Sequence, residues 1–243
     1  MRVLLLGGTA EGRALAEALH PGVDVISSLA GRVPDPALPV GSVRIGGFGG
    51  IHGLQSWLRQ ENIDAVVDAT HPFAATMTAH AAEACSQAKI PHLVLARPAW
   101  DPGPAKVVPS DAEAAKAVEN HCYKRVFLTT GRSGTKAFQR GDAWFLIRAV
   151  TQPDVDSLPR HHQLLLSRGP YRYDDEVAIM RDHRIDALVT KNSGGDMTRA
   201  KLDAAAALHI PVVMVQRPPL PEGVDKVDTV GEAAEWVARQ RHN

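Results

Sequence analysis

A short apolar run, Val3-Leu4-Leu5-Leu6, passes without a polar break into Gly7-Gly8-Thr9-Ala10-Glu11-Gly12-Arg13. An unbroken apolar strand suits a parallel sheet covered on both faces. The glycines allow a tight turn into a helix whose first amides have no partner in the helix. Those amides and the helix dipole both favour negative charge, so the turn is a candidate phosphate site. Strand-like runs continue at Val23–Ser27, Val43–Ile45, Ala65–Asp68 and Leu93–Leu95, separated by helical stretches Gly12–Leu19, Ile51–Glu61 and Ala74–Ala88. This alternation predicts an α/β fold of parallel sheets flanked by helices.

The second half repeats the first. Arg125-Val126-Phe127-Leu128-Thr129-Thr130-Gly131-Arg132 echoes the run from Arg2, Ile185-Asp186-Ala187-Leu188-Val189 echoes Ile63-Asp64-Ala65-Val66-Val67, and the Ile210-Pro211 strand echoes Ile90-Pro91. Three anchors in one order at nearly constant spacing predict two Rossmann-like lobes with a cleft between them. The proline-dense stretch Arg97–Ala105 cannot continue a strand or helix and marks the boundary. Residues 1–98 are expected to bind the dinucleotide and residues 99–243 the substrate. A second break, Arg217-Pro218-Pro219-Leu220-Pro221, precedes a last helix at Val230–Arg241.

Lys plus Arg and Asp plus Glu both number 27 in 243 residues, so bulk charge gives no reason to expect nucleic acid or an acidic membrane. Two cysteines, Cys85 and Cys122, form no CxxC and are expected as reduced thiols. No apolar stretch approaches the ~20 residues of a membrane span. Nothing signal-like precedes the first strand. A cytoplasmic protein, monomeric and without a metal site, is the expectation.

The first turn departs from the dinucleotide pattern GxGxxG by placing Thr9 at the second glycine. Gly7, Gly8, Thr9, Ala10 and Glu11 are the candidate pyrophosphate contacts, with the Thr9 hydroxyl as an added donor. The second strand ends Ile26-Ser27-Ser28-Leu29-Ala30-Gly31-Arg32 and carries no acid at its ligand end. Hydroxyls and a guanidinium there suit a 2′-phosphate, so Ser28 and Arg32 point to NADPH rather than NADH. Gly46-Gly47-Phe48-Gly49-Gly50 makes a backbone that a flat or charged ligand can approach closely, with Gly47 and Phe48 as contacts. Asp68-Ala69-Thr70-His71-Pro72-Phe73-Ala74 ends a strand, which directs Thr70 and His71 toward the ligand.

The second lobe offers three basic turns: Thr130-Gly131-Arg132-Ser133-Gly134-Thr135-Lys136, Ser167-Arg168-Gly169-Pro170, and Thr190-Lys191-Asn192-Ser193-Gly194-Gly195 with Lys201 beyond. No acid interrupts them before Asp196. They predict a ligand bearing several carboxylates or phosphates.

Together these segments resemble the precorrin-6A reductase family of cobalamin biosynthesis over essentially the whole chain, with no large departure. Asp-Ala-Thr-His-Pro-Phe-Ala is the most specific piece. The resemblance implies an oxidoreductase that reduces one macrocycle double bond of precorrin-6A with NADPH, giving precorrin-6B. It implies a tetrapyrrole with acetate and propionate arms, which Arg132, Lys136, Arg168, Ser193 and Lys201 would hold. His71, Lys191 and bound water remain alternative proton sources. Rival readings are a reductase of the cobalt-containing intermediate and a dinucleotide- or tetrapyrrole-binding protein without turnover. A short-chain dehydrogenase would need Tyr-x-x-x-Lys, but Tyr123, Tyr171 and Tyr173 precede Phe127, Asp175 and Val177 at that offset.

Overall fold

The computed structural model describes residues 1–31 and 37–241. The first half runs β1 (Arg2–Leu6), α1 (Ala10–Leu19), β2 (Asp24–Leu29), β3 (Ser42–Ile45), α2 (Gly50–Gln60), β4 (Ala65–Asp68), α3 (Ala75–Ala88), β5 (His92–Leu95), β6 (Lys106–Val108) and α4 (Asp111–Asn120). The second runs β7 (Arg125–Thr129), β8 (Trp144–Ala149), β9 (His162–Leu166), α5 (Tyr173–Asp182), β10 (Ala187–Lys191), α6 (Ala200–Ala207), β11 (Val212–Val215), β12 (Asp225–Val227) and α7 (Val230–Gln240). Two six-stranded sheets result, in the orders β12-β5-β4-β1-β2-β3 and β6-β11-β10-β7-β8-β9. The strand pairs of both are parallel.

Side chains of β1 divide between two cores, as a strand period of two requires. Val3 and Leu5 pack with Leu15 and Leu19 of α1 and with Trp236 and Val237 of α7. Leu4 and Leu6 pack with Leu54 and Leu58 of α2 and Ala81 and Cys85 of α3. Each leucine buried this fully is worth about 1.5–3 kcal/mol, which explains why no polar residue interrupts the run. In the second sheet Phe127, Leu146 and Leu188 meet Met180 of α5 and Ala204 and Ala205 of α6.

The sequence echoes have a local cause. Asn62, Lys89, Arg184 and His209 adopt positive φ after their helices. The next amide then reaches back to the helix end: Ile63 to the Leu58 carbonyl, Ile90 to Cys85, Ile185 to Met180 and Ile210 to Ala205. This is the Schellman closure, with its isoleucine packing inward. Asp64 then accepts the Arg2 amide at 2.7 Å, and Asp186 accepts the Arg125 amide at 3.0 Å. Each acid thereby sets the start of the neighbouring central strand.

The chain divides into two compact units, Met1–Pro98 with Pro218–Asn243, and Ala99–Arg217. This corrects the expected second domain of 99–243, because β12 pairs with β5 of the first sheet and α7 packs on β1. Conversely β6, which follows β5 in sequence, pairs with β11 of the second sheet. The two halves thus exchange matching strand-and-helix pieces. Ser110 and Thr229 cap the two exchanged helices alike, each accepting the amide three residues on. Cys85 and Cys122 are free thiols. Among the described residues no helix is long and apolar enough to cross a membrane.

Candidate active site

In parallel sheets ligands bind outside the carboxyl ends of the strands. Register places the candidate coenzyme residues on that edge of the first sheet: Leu6 pairs with both Ser28 and Asp68, and Ser28 pairs with Arg44. The Gly7 amide donates to the Ser28 carbonyl at 2.9 Å, which draws the ends of β1 and β2 together. Gly8 has φ of +117°, a conformation that a side chain would strain, and open space where its Cβ would lie. Gly12 supplies close packing, since a Cβ there would sit 3.4 Å from the Ala69 Cβ.

Thr9 caps α1, and its hydroxyl is spent doing so. It accepts from the Gly12 amide at 3.1 Å and donates to the Ala69 carbonyl at 2.7 Å. This corrects the expectation of a Thr9 hydroxyl turned to phosphate; Thr9 contributes its position and its amide. Ala10 and Glu11 open the helix, and among the described residues their amides have no acceptor. The Glu11 carboxylate lies in the first turn, where it would repel an anion, but Arg97 Nη1 holds it at 2.8 Å. Arg97 was missed by sequence reasoning; its one trace is that Arg97-Pro98 is echoed by Arg217-Pro218.

Ser28 is buried and its Oγ accepts from Arg44 Nη1 at 2.8 Å. Neighbouring Ser27 is fully buried on the opposite face and belongs to the core side. Arg32 lies outside the described residues. Asp24, the acid of β2, sits at the far end and pairs with Arg2 at 2.7 Å. Gly47 is exposed on the loop after β3, and its carbonyl accepts from Arg44 at 3.1 Å. Phe48, a candidate coenzyme contact, also anchors the loop. Its ring meets Trp57 edge-on at 5.4 Å, packs on the Leu54–Leu58 core, and carries the Arg44 guanidinium 3.9 Å from its centroid.

Thr70 donates from both its amide and its hydroxyl to Asp68 Oδ1, at 2.9 and 2.6 Å. The Thr70 hydroxyl proton is thereby committed, which leaves its oxygen as an acceptor. Asp68 is buried, its second oxygen has no donor among the described residues, and its charge adds to burial in pushing the Cys85 thiol up to about 12. His71 is exposed, and its Nδ1 accepts the Phe73 amide at 3.2 Å. In the neutral ring that bond places the proton on Nε2. Unpartnered helix amides, a serine hydroxyl, a guanidinium and open glycines form a donor set that fits a dinucleotide carrying phosphates.

The second sheet presents its own carboxyl edge. Arg132 and Lys136 are exposed on a 3₁₀ turn, Arg132–Phe138, rather than on the expected helix start, and neither forms an ion pair among the described residues. Arg168 is exposed after β9. Apolar side chains lie exposed along the same edge: Val150, Leu166, Tyr173 and Met197. Cations beside apolar surface suit a ligand with a hydrophobic body and acidic arms.

Two lysines depart from expectation. Lys191 is buried at the end of β10, 3.3 Å from Asp111 Oδ2 and 3.5 Å from Ser133 Oγ. The acid that meets it comes from the exchanged helix α4, which scanning for acids along the basic turns could not reveal. Lys201 is corrected from an arm-binding cation to an internal one. It is 5% exposed, donates to the Thr198 carbonyl at 2.6 Å and lies 4.7 Å over the Trp100 ring. Burial lowers its ammonium pKa to about 7, with Glu176 opposing the shift and Arg148 adding to it. Ser193 gives its amide to the Lys191 carbonyl at 2.8 Å, and its own carbonyl accepts from Arg217 at 3.0 Å.

A family model described as precorrin-6x reductase CbiJ/CobK matches residues 2–238. The chain is 70% identical over 237 residues to a precorrin-6A reductase of Mycobacterium tuberculosis strain H37Rv, covering 98% of this chain and 97% of that one. It is 56% identical to a precorrin-6A reductase of Rhodococcus erythropolis, covering 97% of each. A cobalt-precorrin-6A reductase of Priestia megaterium is 27% identical, covering 91% of this chain and 92% of that one. Among solved structures, one described as CobK precorrin-6A reductase superposes with a TM-score of 0.90 at 34% identity, covering 99% of this chain and 97% of that one.

Proposed function

Since the chain belongs to the precorrin-6x reductase family and is an oxidoreductase acting on a CH–CH bond, we propose that it reduces precorrin-6A to precorrin-6B with NADPH. The carrying observation is the full-length match to reductases of the metal-free substrate, far above that to the cobalt-named relative. The phosphate-fitted edge of the first sheet and the cationic, apolar edge of the second supply the chemistry such a reaction needs.

The α1 amides and Ser28 hold the coenzyme phosphates, and Arg97 neutralises Glu11 where those phosphates bind. Ser28 and Arg32 favour the 2′-phosphate, with no acid at the end of β2 to claim ribose hydroxyls. When bound, the coenzyme supplies the hydride for one atom of the double bond. Arg132, Lys136 and Arg168 hold substrate carboxylates, and the exposed apolar residues meet the macrocycle. Lys191 and Ser193 shape the same edge. The second atom of the double bond takes a proton that His71 relays from solvent, which completes the reduction.

Precorrin-6A-dependent oxidation of NADPH, with precorrin-6B identified by mass, is the test. Binding of both ligands without turnover would sink the enzymatic reading. Faster turnover of the cobalt-loaded substrate would move the chain to the other branch.

A further inference from the structure

We propose that Arg44 is a coenzyme-specificity residue, the cation that recognises a 2′-phosphate beside Ser28 at the edge of the first sheet. The inference rests on the NADPH reading and names a residue for it.

Ser28 and Arg44 are registered partners on β2 and β3, so the guanidinium reaches across one strand spacing. Its Nη1 donates to Ser28 Oγ at 2.8 Å and to the Gly46 carbonyl at 3.0 Å, and its Nη2 donates to the Gly47 carbonyl at 3.1 Å. The Phe48 ring supports its face at 3.9 Å. All of these partners are neutral. Arg97 and Arg148, by contrast, each hold a carboxylate, Glu11 and Glu176. Among the described residues Arg44 has no ion-pair partner, and burial lowers its pKa with no acid raising it.

A half-buried cation whose partners among the described residues are all neutral is electrostatically incomplete, and an anion completes it. The printed bonds use three of its five N–H groups. The Nε–H and the second Nη2–H have no acceptor among the described residues, and together they form the side-on fork that fits two phosphate oxygens. The stack on Phe48 and the bonds to the glycine loop hold that fork in place before any ligand arrives, which reduces the ordering cost of binding.

Calorimetric titration with 2′,5′-ADP and 5′-AMP separates this proposal from the reading beneath it, since neither probe requires turnover. The intact protein should prefer 2′,5′-ADP. Arg44→Ala should weaken 2′,5′-ADP by about ten- to hundredfold, the worth of a hydrogen-bonded charge, and leave 5′-AMP within about twofold. Arg44→Gln, which keeps a donor without the charge, should lose the preference in the same way and serves if the alanine variant does not fold. No preference in the intact protein would overturn the NADPH reading and this proposal with it. A preference retained in either variant, or an equal loss for both probes, would overturn the role of Arg44 alone.

Discussion

Trp100 and Asn192 exchange two hydrogen bonds: the Trp100 amide donates to Asn192 Oδ1 at 2.8 Å, and Asn192 Nδ2 donates to the Trp100 carbonyl at 2.9 Å. The Trp100 indole adds a bond to the Gly195 carbonyl at 2.9 Å. Arg217 Nε donates to the Asn192 carbonyl at 2.8 Å. Both ends of the second unit, Ala99 and Arg217, therefore lie within or beside segments tied to the loop after β10. That loop is held by long-range bonds rather than by its own glycine-rich sequence.

Asn192→Ala should leave two buried main-chain groups of Trp100 without partners, a loss of about 1–3 kcal/mol. Urea unfolding would measure it. Steady-state kinetics should show a higher KM for the tetrapyrrole with little change for NADPH. An equal rise in both would indicate general loosening instead.

Arg148 and Glu176 form a buried ion pair at 2.7 Å, with both side chains almost fully enclosed and the guanidinium over the Tyr171 ring at 4.0 Å. Glu176→Gln should cost about 3–5 kcal/mol, because a buried cation loses its counter-charge. The paired replacement Arg148→Met with Glu176→Leu should cost much less. A double variant as unstable as the single one would contradict this account.

Lys201 predicts a pH dependence of stability. Its folded pKa is lowered to about 7, whereas an unfolded lysine titrates near ~10.4. Between those values the unfolded chain binds one more proton, so stability contributed by this group rises with pH; below about 7 both states are protonated and the slope vanishes. Lys201→Met removes the titration. Its stability advantage over the parent should therefore be largest near neutrality and shrink toward pH 9. An advantage that stays constant with pH would place the ammonium in water.

Gly53→Ala would put a Cβ 1.7 Å from the Phe48 carbonyl oxygen, so the loop that carries Gly46 and Gly47 must move. A loss of about 1–3 kcal/mol and weaker coenzyme binding are expected. Gly231→Ala is the control: its Cβ meets nothing within 4 Å in the first turn of α7, and alanine should stabilise that helix by about 0.5–1 kcal/mol. A thermal melt of each variant would show opposite signs.

His71→Gln retains a donor but has no titrating ring. If His71 delivers the proton, kcat should fall by about 10²–10⁴-fold while NADPH binding is kept. Unchanged kcat would return that role to Lys191 or water.

The residues along β1, the turn at Gly7–Gly12 and the strand ends at Asp68 and Thr129 were legible from sequence, since buried parallel strands and glycine turns obey short-range rules. The repeats were legible too, because each rests on a helix cap, an isoleucine and an aspartate within a few positions. Tertiary structure alone assigned β6 with α4, and β12 with α7, to opposite sheets. A three-residue strand carries no label for its partner; burial of Trp236 and Val237 against Val3 and Leu5 makes that choice. The same holds for charge. Lys191 and Lys201 read as cations for a ligand, but Asp111 meets one and Trp100 covers the other, from positions far away in the chain. Arg44 is the converse case, ordinary in sequence and set beside Ser28 only by strand register, because electrostatic fields depend on distance in space and not along the backbone.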